Sequence, residues 1–270
     1  MNRYPFGIIG AGEMGMAIAA GAVKSGIYKP GEILLFNRTE EKRQAKRALG
    51  YATAETYQQV YGACDMVMLA VKPQNFDEVM PVLQKIPVSP KPLILSVAAG
   101  ISMRYLESFL GRDCPMVRIM PNTPLMIGEG ATAMAKNAAC TEAQLAKVRN
   151  LFDQLGDTAV FEQEDQINDV IPVNGSSPAY VYYFIDAMIR NAVKHGIPEG
   201  DAKRLICRTF VGAAKMLEQS ELTPEQLIDM VCSPGGTTIE AIRWMQENKV
   251  DEIIDQASDR CLKRAYELGK

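Results

Sequence analysis

The segment Gly10-Ala11-Gly12-Glu13-Met14-Gly15 constrains this chain more than any other. It follows the apolar run Phe6-Gly7-Ile8-Ile9 and opens a helical stretch from Met14 to Lys24. Three glycines at that spacing permit a tight strand-to-helix turn and let a pyrophosphate approach the backbone at the helix N-terminus. Alone the spacing is a weak signal; the strand before it and the helix after it supply the context it needs. Further strands are expected at Glu32–Asn37, Asp65–Ala70, Pro92–Val97 and Met116–Met120. Helical stretches at Glu40–Leu49, Asn75–Gln84 and Ser102–Leu110 lie between them. Near-continuous apolar strands alternating with helices imply a parallel sheet covered on both faces, an α/β Rossmann-like domain.

Past Val160-Phe161 the strand pattern ends. Ser177-Pro178 has the form of an N-cap followed by Pro at the first helical position. Behind it Tyr180/Val181, Phe184/Ile185, Met188/Ile189 and Ala192/Val193 recur every four residues, a stripe wide enough to demand burial around much of one helix. Thr223-Pro224-Glu225-Gln226 reads as a capping box, and Thr238–Glu247 and Asp251–Leu268 complete an all-α half. The polar bridge Glu162–Gln166 places the boundary within 162–172, giving domains 1–162 and 163–270. Such broad apolar faces suggest dimerisation of the helical half with a second copy of itself.

Composition narrows the function. Of the 270 residues 47% are hydrophobic and 23% charged, which excludes disorder, and a net charge of −3 argues against nucleic acid or an anionic membrane surface as partner. Apolar runs fall short of the roughly 18 residues of a membrane span, and the start lacks the features of a signal peptide. Six cysteines form no CxxC pair and His195 is the one histidine, which argues against a metal site and most His-dependent nucleophile schemes. Scattered thiols fit a reducing, cytoplasmic setting. Lys194-His195-Gly196 reads as a helix end, with a cation at the negative pole of the dipole.

The candidate binding residues lie at strand ends. Beyond the second strand the chain reads Phe36-Asn37-Arg38-Thr39, without the acid that usually binds a ribose 2′-hydroxyl. Asn37 and Arg38 instead suit a 2′-phosphate and hence NADP; the alternative is a solvated Arg38 paired with Glu40. Ala70-Val71-Lys72-Pro73-Gln74, Ala98-Ala99-Gly100 (small residues that leave room for a flat ring) and Pro121-Asn122-Thr123-Pro124 are further loops on the same sheet edge. In the helical half Ser233-Pro234-Gly235-Gly236-Thr237-Thr238 precedes a helix, and its backbone N–H groups would suit a carboxylate. Asn174-Gly175-Ser176-Ser177-Pro178 reads as a capping turn.

These segments, in this order, resemble those of the pyrroline-5-carboxylate reductase family over the whole chain. They are Gly10–Gly15, Ala70–Gln74, Arg118–Pro124, Gly175–Tyr180 and Ser233–Ile239, the last being the most specific. The resemblance implies reduction of a cyclic imine, Δ1-pyrroline-5-carboxylate, to L-proline by NADPH or NADH. It also implies a homodimer or larger homo-oligomer such as a decamer. By resemblance the cofactor contacts Gly10, Gly12, Glu13, Met14, Gly15, Asn37, Arg38, Ala70, Val71, Lys72, Pro73, Ala98, Ala99, Gly100, Pro121 and Asn122. Ser233, Gly235, Gly236, Thr237 and Thr238 would bind substrate, with the Thr238 hydroxyl near the ring nitrogen. One departure stands out: the family often reads Ser-Gly-Ser-Gly-Pro where this chain has Asn174-Gly175-Ser176-Ser177-Pro178, which puts its substrate range in question.

Two rival readings remain. A 3-hydroxyacid dehydrogenase or imine reductase of similar plan is one. The dehydrogenases use a lysine early in the first helix of the helical domain, whereas here the first lysine is Lys194 at the helix end. A non-catalytic NADP sensor is the other, and a complete Ser233–Thr238 loop argues against it.

Overall fold

The computed structural model describes residues 3–269. Strands β1 (Phe6–Ile9), β2 (Ile33–Phe36), β3 (Ala52–Thr53), β4 (Met66–Leu69), β5 (Leu93–Ser96) and β6 (Met116–Met120) pair in parallel, in the order β3-β2-β1-β4-β5-β6. Strand β7 (Gly130–Lys136) then pairs antiparallel with β6, and β8 (Gly156–Val160) pairs parallel with β7. The sheet is therefore mixed, not parallel throughout. A parallel return needs a crossover of about a dozen residues or more, and the short link from β6 to β7 holds only a 3₁₀ turn, Thr123–Ile127.

Alternate strand residues feed two cores. Ile8, Leu35, Met68, Leu95 and Ile119 meet α1 (Glu13–Lys24) on one face. On the other, Ile9, Leu34, Val67, Leu69 and Ile94 form a second core. The helices between β2 and β6 are α2 (Glu40–Ala48), α3 (Tyr57–Ala63), α4 (Phe76–Leu83) and α5 (Met103–Leu110); α3, α4 and α5 cover this second face. Helix α6 (Glu142–Asp153) joins α1 on the first through Val148, Leu151 and Phe152. Burial on both sides explains why each long strand reads as an unbroken apolar run.

The rest is helical: α7 (Gln166–Asp169), a π turn at Ile171–Gly175, α8 (Ser177–Lys194), α9 (Glu199–Gln219), α10 (Pro224–Val231), α11 (Thr237–Glu247) and α12 (Val250–Glu267). The π turn leaves Ser176 already in a right-handed helical conformation, and α8 starts at Ser177. The Thr223 capping box forms as its residues imply, with Thr223 Oγ1 accepting from Gln226 N and Gln226 Oε1 accepting from Thr223 N. His195 follows the end of α8, beside Gly196 at φ +84°.

Two compact units result: residues 3–176 with 261–269, and Ser177–Arg260. This division does not fall at the polar Glu162–Gln166 stretch. Ile167 and Ile171 beyond it are buried in the first unit's core, and Glu164 and Asn168 both hold Arg118 of β6. The smaller unit builds little interior of its own. No residue of α8, α10 or α11 is buried, and Tyr183, Met230 and Trp244 are 70%, 65% and 63% exposed. Apolar surface on that scale is normally covered by a partner. Among the described residues no helix is long and apolar enough to cross a membrane.

Candidate functional site

The chain leaves β1 for β2 and β3, then returns to β4 on the other side of β1. In an open α/β sheet the crevice at such a switch point, at the carboxyl ends of the strands, is where ligands bind. The glycine-rich turn lies there. Gly10 has φ +95°, and a Cβ on it would stand 2.8 Å from Ala70 C and O and from Val71 Cγ1, so the turn fits closely against the end of β4. A Cβ on Gly15 would stand 3.0 Å from Gly10 O and 3.2 Å from Ile8 Cγ2, so Gly15 lets α1 close onto β1. Gly12 differs: a Cβ there would meet nothing nearer than Gly10 O at 4.0 Å. Its bare, exposed backbone serves no packing need within the chain. Glu13 is exposed in the first turn of α1, and Met14 is half-buried beside it.

The end of β2 is tied to this turn. Phe36 O accepts from Gly10 N and Ala11 N, each at 3.2 Å, and Asn37 Nδ2 donates to Ala11 O at 3.1 Å. Asn37 Oδ1 is buried without a partner, leaving an acceptor at the strand end. Arg38 is exposed, and its Nη2 lies 2.9 Å from Glu78 Oε2 on α4, not on Glu40. Glu40 pairs instead with Arg43 and Arg47. Arg43 Nη1 donates to Asn37 O at 2.8 Å and Arg38 O at 3.0 Å, fixing the strand end from below. Sequence reasoning did not single out Arg43 or Glu78; on helices this rich in charge nothing marks them apart from solvated neighbours.

The remaining loops share this edge. Lys72 and Pro73 turn the chain through the 3₁₀ segment Pro73–Asn75. Ala98 and Gly100 are buried and Ala99 is exposed. Pro121 is buried, and Asn122 Oδ1 accepts from Ala131 N at 2.9 Å, which joins the loop after β6 to β7. Asn174 Nδ2 donates to Met120 O at 2.8 Å and Ala131 O at 3.1 Å, so the departing residue of the π turn grips both of these strands. A groove of about 790 Å³ runs from Gly12 and Glu13 along α1 to Ser25, with Lys42, Lys46, Met126 and Leu155 also lining it; the loops after β2, β4 and β5 do not line it.

The smaller unit carries the other set. Gly235 takes φ +71°, turning the chain back so that Gly236 N donates to Ser233 O at 2.9 Å. A Cβ on Gly236 would sit 2.5 Å from Ser233 Oγ, so Ser233 and Gly236 nest together. Helix α11 begins at Thr237 with Gly236 as its N-cap and no side-chain cap, which leaves first-turn N–H groups available to an anion. Thr237 is exposed; Thr238 is half-buried.

The cysteines are all free. Burial pushes the thiols of Cys64 and Cys114 up to about 12 and that of Cys140 to about 11, so these three are inert at neutral pH. No group of His, Cys, Asp or Glu among the described residues is arranged to hold a metal ion.

A Rossmann-like unit with an uncovered glycine turn, and a helical unit with an uncapped helix start, have the form of a nucleotide-dependent oxidoreductase. Residues 164–268 match the family model for pyrroline-5-carboxylate reductase dimerisation, and residues 5–100 match the one for NADP oxidoreductase, coenzyme F420-dependent. The chain belongs to the pyrroline-5-carboxylate reductase family. It is 37% identical over 265 residues to the reductase of Escherichia coli strain K12, covering 98% of each. Solved pyrroline-5-carboxylate reductase structures from Coxiella burnetii (32% identity) and Plasmodium falciparum (26%, with NADP bound) superpose with a TM-score of 0.90, each over 100% of both chains. The helical region is the family's dimerisation domain, through which the chain oligomerises.

Proposed function

We propose that this chain reduces Δ1-pyrroline-5-carboxylate to L-proline with NADPH or NADH, the last step of proline biosynthesis. The Ser233–Thr238 turn at the start of α11 carries this reading, because it offers both donors for a carboxylate and a half-buried hydroxyl. The nucleotide fits the larger unit: Gly12 is uncovered by the chain and Asn37 Oδ1 awaits a donor. Gly10, Gly12, Glu13, Met14 and Gly15 would seat the pyrophosphate, Glu13 through its backbone. Arg38 would hold the 2′-phosphate, and Asn37 Oδ1 would accept from a ribose hydroxyl. Ala70–Pro73, Ala98–Gly100 and Pro121–Asn122 would line the rest of the nucleotide. When bound, the reduced nicotinamide supplies the hydride that the imine carbon accepts. The chain's own part is to place and charge the substrate. Backbone N–H groups of Gly236, Thr237 and Thr238 would hold the carboxylate, with Gly235 turning the loop and Ser233 bracing Gly236. Thr238 Oγ1 would donate its hydrogen bond to the ring nitrogen, polarising the C=N bond toward hydride attack and assisting delivery of the proton that nitrogen takes up.

Residues 3–176 with 261–269 would act as the nucleotide domain and Ser177–Arg260 as the substrate domain, with the dimerisation match at 164–268 reaching into both. A dimer is the smallest assembly we infer, with rings such as a decamer built from dimers. The free thiols fit a cytoplasmic setting. Light scattering is expected to give at least twice the mass of one chain; a stable, active monomer would overturn this.

The direct assay follows nucleotide oxidation by the purified chain with pyrroline-5-carboxylate and with its six-membered homologue. Imine-dependent oxidation is expected, faster with the five-membered ring. Tight NADPH binding without imine-dependent oxidation would instead mark a nucleotide sensor.

A further inference from the structure

We propose that residues 261–269, which return to the larger unit after the helical one, position the Ala98–Gly100 loop for the nucleotide, with Tyr266 as the anchoring residue. This rests on the reading of that loop as part of the nucleotide site.

The contact is backbone on backbone. Gly100 has φ +77°, and a Cβ there would lie 3.1 Å from Leu268 C and O and 3.3 Å from Gly269 N. In return, a Cβ on Gly269 would lie 3.6 Å from Gly100 O. No side chain fits between the two segments, so the end of α12 lies directly on the loop. The loop does little to hold itself: Val97 N reaches Leu69 O at 3.3 Å and Ile101 N reaches Ala98 O at 3.4 Å, both long for such bonds. What lies against it therefore sets its shape.

The returning segment is itself fastened. Ala265 is buried in the core that holds Ile101 and Met103. Tyr266 O–H donates to Asp169 Oδ1 at 2.8 Å, and Cys261 Sγ lies 3.3 Å from Ser176 Oγ. Asp169 ends α7, and α7 is fixed by Arg118, a side chain 2% exposed whose Nη2 donates to Asn168 Oδ1 at 2.6 Å. Arg118 Nη1 also donates to Glu164 Oε1 at 3.1 Å, and that oxygen accepts from Met103 N at 2.6 Å. Met103 opens α5 immediately after the loop. The loop is thus clamped twice, at Met103 through Glu164 and at Gly100 through Leu268. Its conformation is set before the nucleotide arrives, which removes an ordering cost from binding.

The 2′-phosphate would be read at Arg38, on another strand end, so the clamp acts on NADPH and NADH alike. The test uses the full chain, a chain ending at Glu267, and Tyr266→Phe. Dissociation constants for both nucleotides are measured by fluorescence titration without imine, alongside the mass by light scattering. The shortened chain is expected to bind both nucleotides about three- to tenfold more weakly, by an equal factor, with unchanged mass. Tyr266→Phe, which loses only one hydroxyl, should weaken both about twofold. Gly100→Ala should cost less in the shortened chain than in the full one, because the backbone it strikes is gone. Unaltered binding in both the shortened chain and Tyr266→Phe, or a loss confined to NADPH, would overturn the proposal. A full chain that binds neither nucleotide would instead remove the reading of the nucleotide site itself.

Discussion

Thr238→Ala is expected to lower kcat/KM for the imine by about ten- to hundredfold, the cost of one hydroxyl donor aimed at a reacting centre. NADPH binding should stay nearly unchanged, because the substitution leaves the larger unit untouched. The motive is positional: Thr238 is half-buried in the first turn of α11, while Thr237 beside it is exposed. Thr238→Ser keeps the hydroxyl and should recover much of the rate. Thr237→Ala should do less harm, since Thr237 is assigned a backbone role. If Thr237→Ala proved the more damaging, the hydroxyl role would move one residue back. If neither change slowed the reaction, the turn would be a helix start and nothing more.

Arg38→Ala should raise the KM for NADPH about tenfold or more, the loss of one charge-assisted hydrogen bond to phosphate, with NADH nearly unaffected. The Arg38–Glu78 pair refines this expectation. Both side chains are well exposed, so their attraction is weak and a doubly charged phosphate would displace Glu78. Glu78→Gln should then lower the KM for NADPH about two- to fivefold by removing the competitor. In an Arg38→Ala background the same change should do nothing. Equal shifts for NADPH and NADH in Arg38→Ala would refute the 2′-phosphate role.

The strands β1, β2, β4, β5 and β6 were legible because burial on both faces demands unbroken apolar runs, and their limits lie within a residue or so of the sequence reading. Strand β7, Gly-Ala-Thr-Ala-Met-Ala-Lys, escaped because its small residues produce neither such a run nor a clear alternation. Helices α3 and α6 were missed although their signal was present. Thr56 with Gln59, and Thr141 with Gln144, form the same capping box that marked Thr223. The turns Gly10–Gly15 and Ser233–Thr238 could be read because their glycine spacing stands directly before a helical pattern, which together fix how the backbone bends there. Arg118 shows the opposite case. A charge inside an apolar strand demands partners, yet Glu164 and Asn168 lie 46 and 50 residues away and no local pattern names them. Asn174 likewise reaches carbonyls 54 and 43 residues distant. An isolated fragment 1–160, which the alternation of strands and helices alone would suggest is self-sufficient, would strand Arg118 as a buried charge.

The smaller unit is an insertion within the larger one, since residues 261–269 rejoin the sheet-bearing unit after the helices. During synthesis this imposes an order. The sheet can assemble once α7 has emerged to hold Arg118, but its unit stays open where residues 261–269 later pack. At roughly 5–20 residues per second, the ribosome needs several seconds to deliver the inserted helices before the closing segment appears. The nucleotide-binding half of the molecule, first to be translated, is therefore the last to be finished. In a nascent chain still tethered at residue 260, the sheet would be formed and the loop at Gly100 not yet covered.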